Sequence, residues 1–263
     1  MAENWFRYEQ PIEGSSGNIF LFPHAGSSAS FFASWKKGTN HKCGFFPVQY
    51  PGRENRRKDT ISPSIKELAK AFVKDESELL TKKPFVLFGH CMGALICWEI
   101  ALELQRKGMK MPCAVVVSSS ASPTERAIEK ADDMSRDEIV DYLCRMGFID
   151  RSITEEKEFF EYYLSLMKID MMWLKIYDYE GQREKKINCS IYSFNGRDDD
   201  KKLLNQSLEW GKFTQNNFTQ KLFCGGHFYL SDDPNEVVTS LEEIILKSCL
   251  LYTSDAADDL LCV

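Results

Sequence analysis

The sequence predicts an α/β fold, a mostly parallel sheet with helices on both faces, and three observations carry that expectation. Short apolar runs rich in β-branched or aromatic residues alternate with longer stretches at helical spacing. Hydrophobic residues make up 43% of the 263 positions and charged residues 27%, a balance that lets one chain bury a sizeable core. The one long break in the alternation, about 124–180, contains no strand pattern and reads as a helical insertion rather than a second α/β unit. A single domain over residues 1–250 is therefore expected.

In chain order, the strands are expected at 18–22 (NIFLF), 43–50 (CGFFPVQY), 84–89 (PFVLFG), 112–119 (PCAVVVSS), 187–194 (INCSIYSF) and 218–223 (FTQKLF). Helices are expected at about 63–80, 92–107, 203–213 and 234–248. The first of these has Ser62 as candidate N-cap and Pro63 at the first helical position. Within the insertion, Phe160, Tyr163, Leu164, Met167, Met171 and Leu174 recur at helical spacing. Such an insertion is either a lid over a site at the strand ends or a cover for apolar sheet surface. Residues 251–263, LYTSDAADDLLCV, show neither helical nor strand periodicity and are set aside as a non-native or disordered tail.

Composition excludes several classes. A net charge of −6 and a pI near 5.4 argue against nucleic acid, which demands clustered Lys and Arg. No run of about 18 apolar residues is present, and MAENWFRYEQ lacks the basic-then-apolar layout of a signal peptide, so no membrane span is expected and the cytoplasm is the expected location. Nine cysteines, an odd number with no CxxC pair and no zinc-ligand spacing, read as reduced thiols, with no structural metal site. With no apolar segment left over, a monomer is expected.

The strongest chemical signal is VLFGHCMGALICWEIAL. A strand runs into Gly89-His90-Cys91-Met92-Gly93 and a helix follows directly, which is the strand-turn-helix context of a nucleophile elbow. The glycines permit the sharp turn, and the N-terminus of the following helix favours the thiolate. A nucleophile needs a base, and the chain has only His24, His41, His90 and His227. His90 adjoins Cys91 and its side chain diverges from it. His41 lies in the polar stretch GTNHKCG, and His24 stands where it suits the shaping of a backbone loop. His227, behind Gly225-Gly226 and after the last strand, is the candidate base. An orienting carboxylate is expected between nucleophile and histidine, and Asp198, Asp199 and Asp200 lie in a loop after a strand, any one of them able to serve.

Five blocks together, LFPHAGSSASFFASW, VQYPGRENRR, FVLFGHCMGALICWEIAL, FNGRDDDKK and GGHFYLSDDP, closely resemble the type II thioesterases, stand-alone α/β-hydrolases serving nonribosomal peptide and polyketide synthases. The medium-chain thioesterases of animal fatty acid synthesis are similar, notably in GGHFYL. The resemblance runs from about Ile19 to Leu246. It implies hydrolysis of acyl groups from the phosphopantetheine arm of an acyl or peptidyl carrier protein, with no cofactor beyond the arm the substrate carries. It places Cys91 as nucleophile and His227 as base, selects Asp199 as acid, and assigns the oxyanion hole to the N–H groups of Ala25 and Met92. The helical insertion matches the family's lid.

One departure from the family pattern is the residue at the elbow, where cysteine replaces the usual serine of GHSMG. A thiolate attacking a thioester makes another thioester, a nearly isoenergetic exchange. An acyl or aminoacyl transferase shuttling groups between carriers is therefore the alternative to a hydrolase. A catalytically silent binding module and a hydrolase of small esters or lactones are two further readings. His24, Phe160, Met167 and Met171 are candidate substrate-binding residues, and with Phe159, Met172 and Trp173 the lid suggests apolar acyl chains, although the same side chains would equally pack the lid on the sheet. Arg53, Arg56, Arg57 and Lys58 form a basic cluster that is a candidate docking point for an acidic carrier.

Overall fold

The computed structural model describes residues 5–36, 42–125, 136–145 and 147–258. Six strands, β1 (Asn18–Phe22), β2 (Gly44–Pro47), β3 (Phe85–His90), β4 (Ala114–Ser118), β5 (Ser190–Gly196) and β6 (Phe218–Phe223), form one sheet. The order is β2-β1-β3-β4-β5-β6, with every neighbouring pair parallel. Parallel neighbours align every strand's C-terminal end along one edge, where α/β sheets bind their ligands.

The central strands β1, β3 and β4 are buried along their whole length, which is why they read as continuous apolar runs rather than alternating ones. Alternation survives in which face each residue serves. Phe20, Phe22, Phe85, Leu87, Val115 and Val117 point to one core, while Ile19, Leu21, Val86, Phe88, Ala114 and Val116 point to the other. The first core is closed by α1 (Ile65–Asp75), α2 (Ser77–Lys82) and α3 (Met92–Arg106), and the second by a 3-10 segment Ala29–Lys36 and α8 (Pro234–Asp258). Edge strand β6 is mostly half-buried or exposed.

The described part of the insertion between β4 and β5 is helical, comprising α4 (Arg136–Arg145), a 3-10 turn Arg151–Glu155 and α5 (Lys157–Lys175). Two short helices, α6 (Lys201–Leu208) and α7 (Tyr229–Asp232), follow β5 and β6. Most element limits shift from the sequence reading, β2 being shorter than the expected 43–50 and the helix expected at 63–80 being divided into α1 and α2, and two helix ends differ for identifiable reasons. The first helix starts after Ser64, whose hydroxyl accepts the Glu67 N–H at 3.2 Å, so Ser64 rather than Ser62 is the N-cap and Pro63 lies outside the helix. The carbonyl of Ser62 instead accepts the Trp173 indole N–H at 2.9 Å. The last helix continues to Asp258 through residues expected to have no regular structure, because Leu251, Ala256 and Ala257 extend a helix already under way and no glycine or proline stops it.

Candidate active site

The turn between β3 and α3 is sharp. Cys91 has φ 54° and ψ −116°, a conformation costly for a residue with a Cβ and seen where the surrounding structure over-determines it. Its N–H donates to the Ser118 carbonyl at 2.8 Å. The flanking glycines are required by close approach. A Cβ on Gly89 would stand 2.2 Å from the Gly93 carbonyl oxygen, and one on Gly93 would stand 2.2 Å from that of Phe22. Cys91 is thus lifted from the end of β3 onto the first turn of α3, half-buried in a cavity of about 300 Å³.

His227 arrives from the loop after β6 and Asp199 from the loop after β5. The imidazole Nδ1 lies 3.1 and 3.2 Å from the two carboxylate oxygens of Asp199. Its Nε2 is buried and has no hydrogen-bond partner, in the cavity that Cys91 also lines, and the Cys91 sulfur is near enough to act on the ring's charge. Burial works against the charged imidazole, but the Asp199 hydrogen bond and the Cys91 sulfur outweigh it and push His227 up to about 10. Burial likewise opposes the Asp199 charge, and the His227 contact together with the Asp200 N–H at 2.8 Å holds that carboxyl below its ordinary value.

The three aspartates in a row serve different purposes. Asp200 caps α6, accepting the N–H groups of Lys202 and Leu203 at 2.9 and 3.1 Å. Asp198 is exposed, and Asp199 alone meets His227.

The other described histidines differ from His227 in charge state. His90 is fully buried, its Nδ1 paired with the Ser118 hydroxyl at 2.9 Å, and burial drives its pKa well below the ordinary value. His24 packs edge-on against Phe31, Phe148 and Phe228 and is pushed down to about 3 by burial and by the nearby His227 and Arg53 charges. His41 lies outside the described residues.

Ala25 and Met92 both line the Cys91 cavity, and neither N–H is taken up among the described hydrogen bonds. The cavity becomes apolar away from Cys91, with Leu95, Met167, Met171 and Leu174, while Glu125, Arg145, Lys202 and Gln206 supply polar wall. Of the four expected substrate-binding residues, Met167 and Met171 line this cavity. Phe160 is buried in the sheet-side core with Arg136 over its ring, and His24 faces a separate cavity of about 510 Å³ beside Phe31, Tyr163 and Phe228. Met172 is exposed, Trp173 is core, and the Phe159 side chain lies outside the described residues.

The expected basic docking cluster is halved. Arg53 stacks on Tyr50 and pairs with Asp170, and Arg56 stacks on Trp5 while donating to the Gln49 carbonyl at 3.0 Å and to Asp59 at 2.6 Å. Both guanidiniums are buried, because aromatic faces, backbone carbonyls and carboxylates satisfy them; Arg57 and Lys58 remain exposed. Asp170, which no motif marked, is fully buried on α5.

A thiol on a strained elbow at the C-terminal edge of a parallel sheet, in one cavity with an imidazole that a carboxylate holds, is the layout of the α/β-hydrolase fold. Residues 18–245 match the thioesterase domain family, and the chain belongs to that family. It is similar to the "S-acyl fatty acid synthase thioesterase, medium chain" of Homo sapiens, 28% identical over 255 residues that cover 96% of this chain and 94% of that one. It is similar also to the "Probable cadicidin biosynthesis thioesterase" of Streptomyces griseus, 28% identical over 93% of this chain but spanning 66% of that relative's length. Among solved structures, the type II thioesterase BorB from the borrelidin biosynthetic cluster superposes with a TM-score of 0.79 at 27% identity, covering 92% of this chain and 97% of that one. The protein is a thioesterase. Among the described residues, no helix is long and apolar enough to cross a membrane.

Proposed function

We propose that this thioesterase hydrolyses acyl groups from the phosphopantetheine arm of acyl or peptidyl carrier proteins, with Cys91 as nucleophile, His227 as proton carrier and Asp199 as its orienting acid. The observation that carries the reading is that Asp199 holds one ring nitrogen of His227 while the other, buried and without a hydrogen-bond partner, belongs to the same largely apolar cavity that Cys91 lines. The carrier partner is supported by the synthase-linked relatives; the pathway named for each belongs to that relative.

In the proposed first half-reaction, the Cys91 sulfur attacks the thioester carbon and the carbonyl electrons move onto oxygen. The N–H groups of Ala25 and Met92 stabilise that oxyanion. Collapse breaks the bond to the pantetheine sulfur, which leaves with the proton from the His227 imidazolium. Water then attacks the acyl-Cys91 carbonyl as His227 takes its proton, and the Cys91 thiolate leaves. Asp199 stabilises the imidazolium in both halves. No cofactor enters any step.

Exchange of one thioester for another leaves the acyl-enzyme at nearly the free energy of the substrate, so the cysteine at the elbow also favours a second reading, transfer to another carrier thiol. Thiol release from an acyl-pantetheine, run beside p-nitrophenyl ester cleavage, tests the proposal. A marked preference for the thioester is expected. Ester preference would replace the proposal with a general hydrolase, and no turnover of either would leave a silent binding module.

A further inference from the structure

The segment after β1, Pro23 to Ala29, carries Ala25, which lines the cavity with Cys91, and it is anchored at several residues. The Tyr50 hydroxyl donates to the Pro23 carbonyl at 3.0 Å, and the Ala29 N–H donates to the Gln49 side chain at 3.0 Å. Between these two anchors, the Gly26 N–H donates to the carboxylate of Asp170 at 2.6 Å. Arg53 donates from one nitrogen to the Ser27 carbonyl and from another to the second oxygen of Asp170. Arg53 and Asp170 are both essentially without solvent exposure.

Asp170 sits on α5, the helix whose Met167, Met171 and Leu174 form the apolar wall of the cavity. One carboxylate therefore joins the covering helix to the backbone next to the Ala25 donor. A buried ion pair is a weak source of stability compared with apolar residues of the same volume. It does impose direction: two carboxylate oxygens fix one amide and one guanidinium at once.

We infer that Asp170, through Gly26 and Arg53, is a positioning residue that aims the Ala25 N–H at the reacting carbonyl oxygen and makes seating of α5 a condition for acylation. The inference rests on the acyl-Cys91 reading. Its consequence is specific, because an oxyanion donor acts on the tetrahedral state and little on bound substrate.

Two variants test it, Asp170→Asn and the double variant Arg53→Met with Asp170→Leu, which replaces the pair by apolar side chains and leaves no unpaired buried charge. Both are assayed on acyl-pantetheine together with wild type, with Tm measured in parallel. The expected result is kcat lower by about tenfold or more with KM within about twofold. Affinity for a trifluoromethyl ketone analogue, whose adduct with Cys91 mimics the tetrahedral oxyanion, should fall by the same factor as kcat. Variants with lowered Tm but wild-type kcat and analogue affinity would overturn the inference and leave the pair a structural strut. Failure of both variants to fold would likewise assign the pair to folding and overturn it. Inactivity of the wild type itself on thioesters would instead contradict the functional proposal.

Discussion

Cys91, Asp199 and His227 each stand within four residues of the C-terminal end of a strand, whereas the groups that α4 and α5 contribute reach the cavity from helices outside the sheet's hydrogen-bond ladder. The strand-end groups inherit their positions from the ladder: β3, β5 and β6 are in fixed parallel register, so short loops suffice to bring thiol and imidazole to one cavity with the carboxylate on the imidazole. The helices have no such reference except where a polar side chain reaches back, as Asp170 does to Gly26. The difference separates chemistry from selectivity. Changes at the strand ends should alter the rate constant, and changes on the apolar face of α5 should alter which acyl chain is accepted.

The largest effect is expected at the elbow. Cys91→Ala should reduce thiol release by about 10⁴-fold or more, since loss of a nucleophile leaves only binding and the oxyanion donors. Steady-state release from acyl-pantetheine measures it, and an undiminished rate would remove Cys91 from the mechanism. Next comes the acid loop. Asp199→Asn should cost about 10²-fold or more in kcat because the imidazolium loses its partner. Asp198→Asn should stay within about twofold of wild type, and Asp200→Asn should show at most a mild loss of stability, about 1 kcal/mol or less, from a weakened helix cap. Equal losses at all three positions would contradict the assignment of Asp199 as the sole partner of His227.

The covering helix gives a smaller and different effect. Met171→Trp should shift the preference between long and short acyl chains by about tenfold, with Tm within a few degrees of wild type. Phe160→Ala should do the reverse, costing about 3–5 kcal/mol of stability by opening the core while leaving chain preference unchanged. A chain-length panel combined with thermal melts separates the two, and a selectivity change at Phe160 would erase the distinction drawn between cavity wall and core.

What the sequence made legible follows the same division. The elbow could be read because a strand, two glycines and a helix are contiguous, and the base because four histidines leave few choices. The strands were visible for the same local reason, and β1 and β6 coincide with their expected limits. Asp199 needed the family resemblance, since three adjacent aspartates have identical local chemistry and differ only in where the loop turns them. The lid residues were not separable from sequence: Phe160 and Met167 share one apolar stripe of α5 and one core, and tertiary packing alone brings the second, and not the first, to the cavity wall as well. The basic cluster misled because a buried Arg stacked on an aromatic ring reads like an exposed one. Asp170 carries no local signal at all, as its partners Gly26 and Arg53 are 144 and 117 residues away.

The smallest effect is one of pH, and it compares histidines within a single cluster. His227 is raised to about 10 and His24 lowered to about 3, although their neighbourhoods overlap at Phe148 and Phe228. A folded-state value above the unfolded one, about 6.5, stabilises the fold fully below that pH and loses its contribution as pH rises toward 10. Wild-type stability should therefore decline across that window relative to His227→Gln. NMR of the imidazole resonances should show His227 protonated at pH 8 and His24 neutral at pH 5; the opposite order would mean that the Asp199 contact does not govern the base.

The most direct test of the central claim is intact-protein mass and peptide mapping after rapid mixing of the wild type with an acyl-pantetheine. The expected result is an acyl adduct on Cys91, formed fast enough to account for turnover and decaying in buffer at the same rate whether or not an acceptor carrier is present. Thiol release with no adduct on Cys91 would contradict covalent catalysis at the elbow. An adduct that persists in water and empties only onto an acceptor thiol would contradict hydrolysis and make the protein an acyl shuttle.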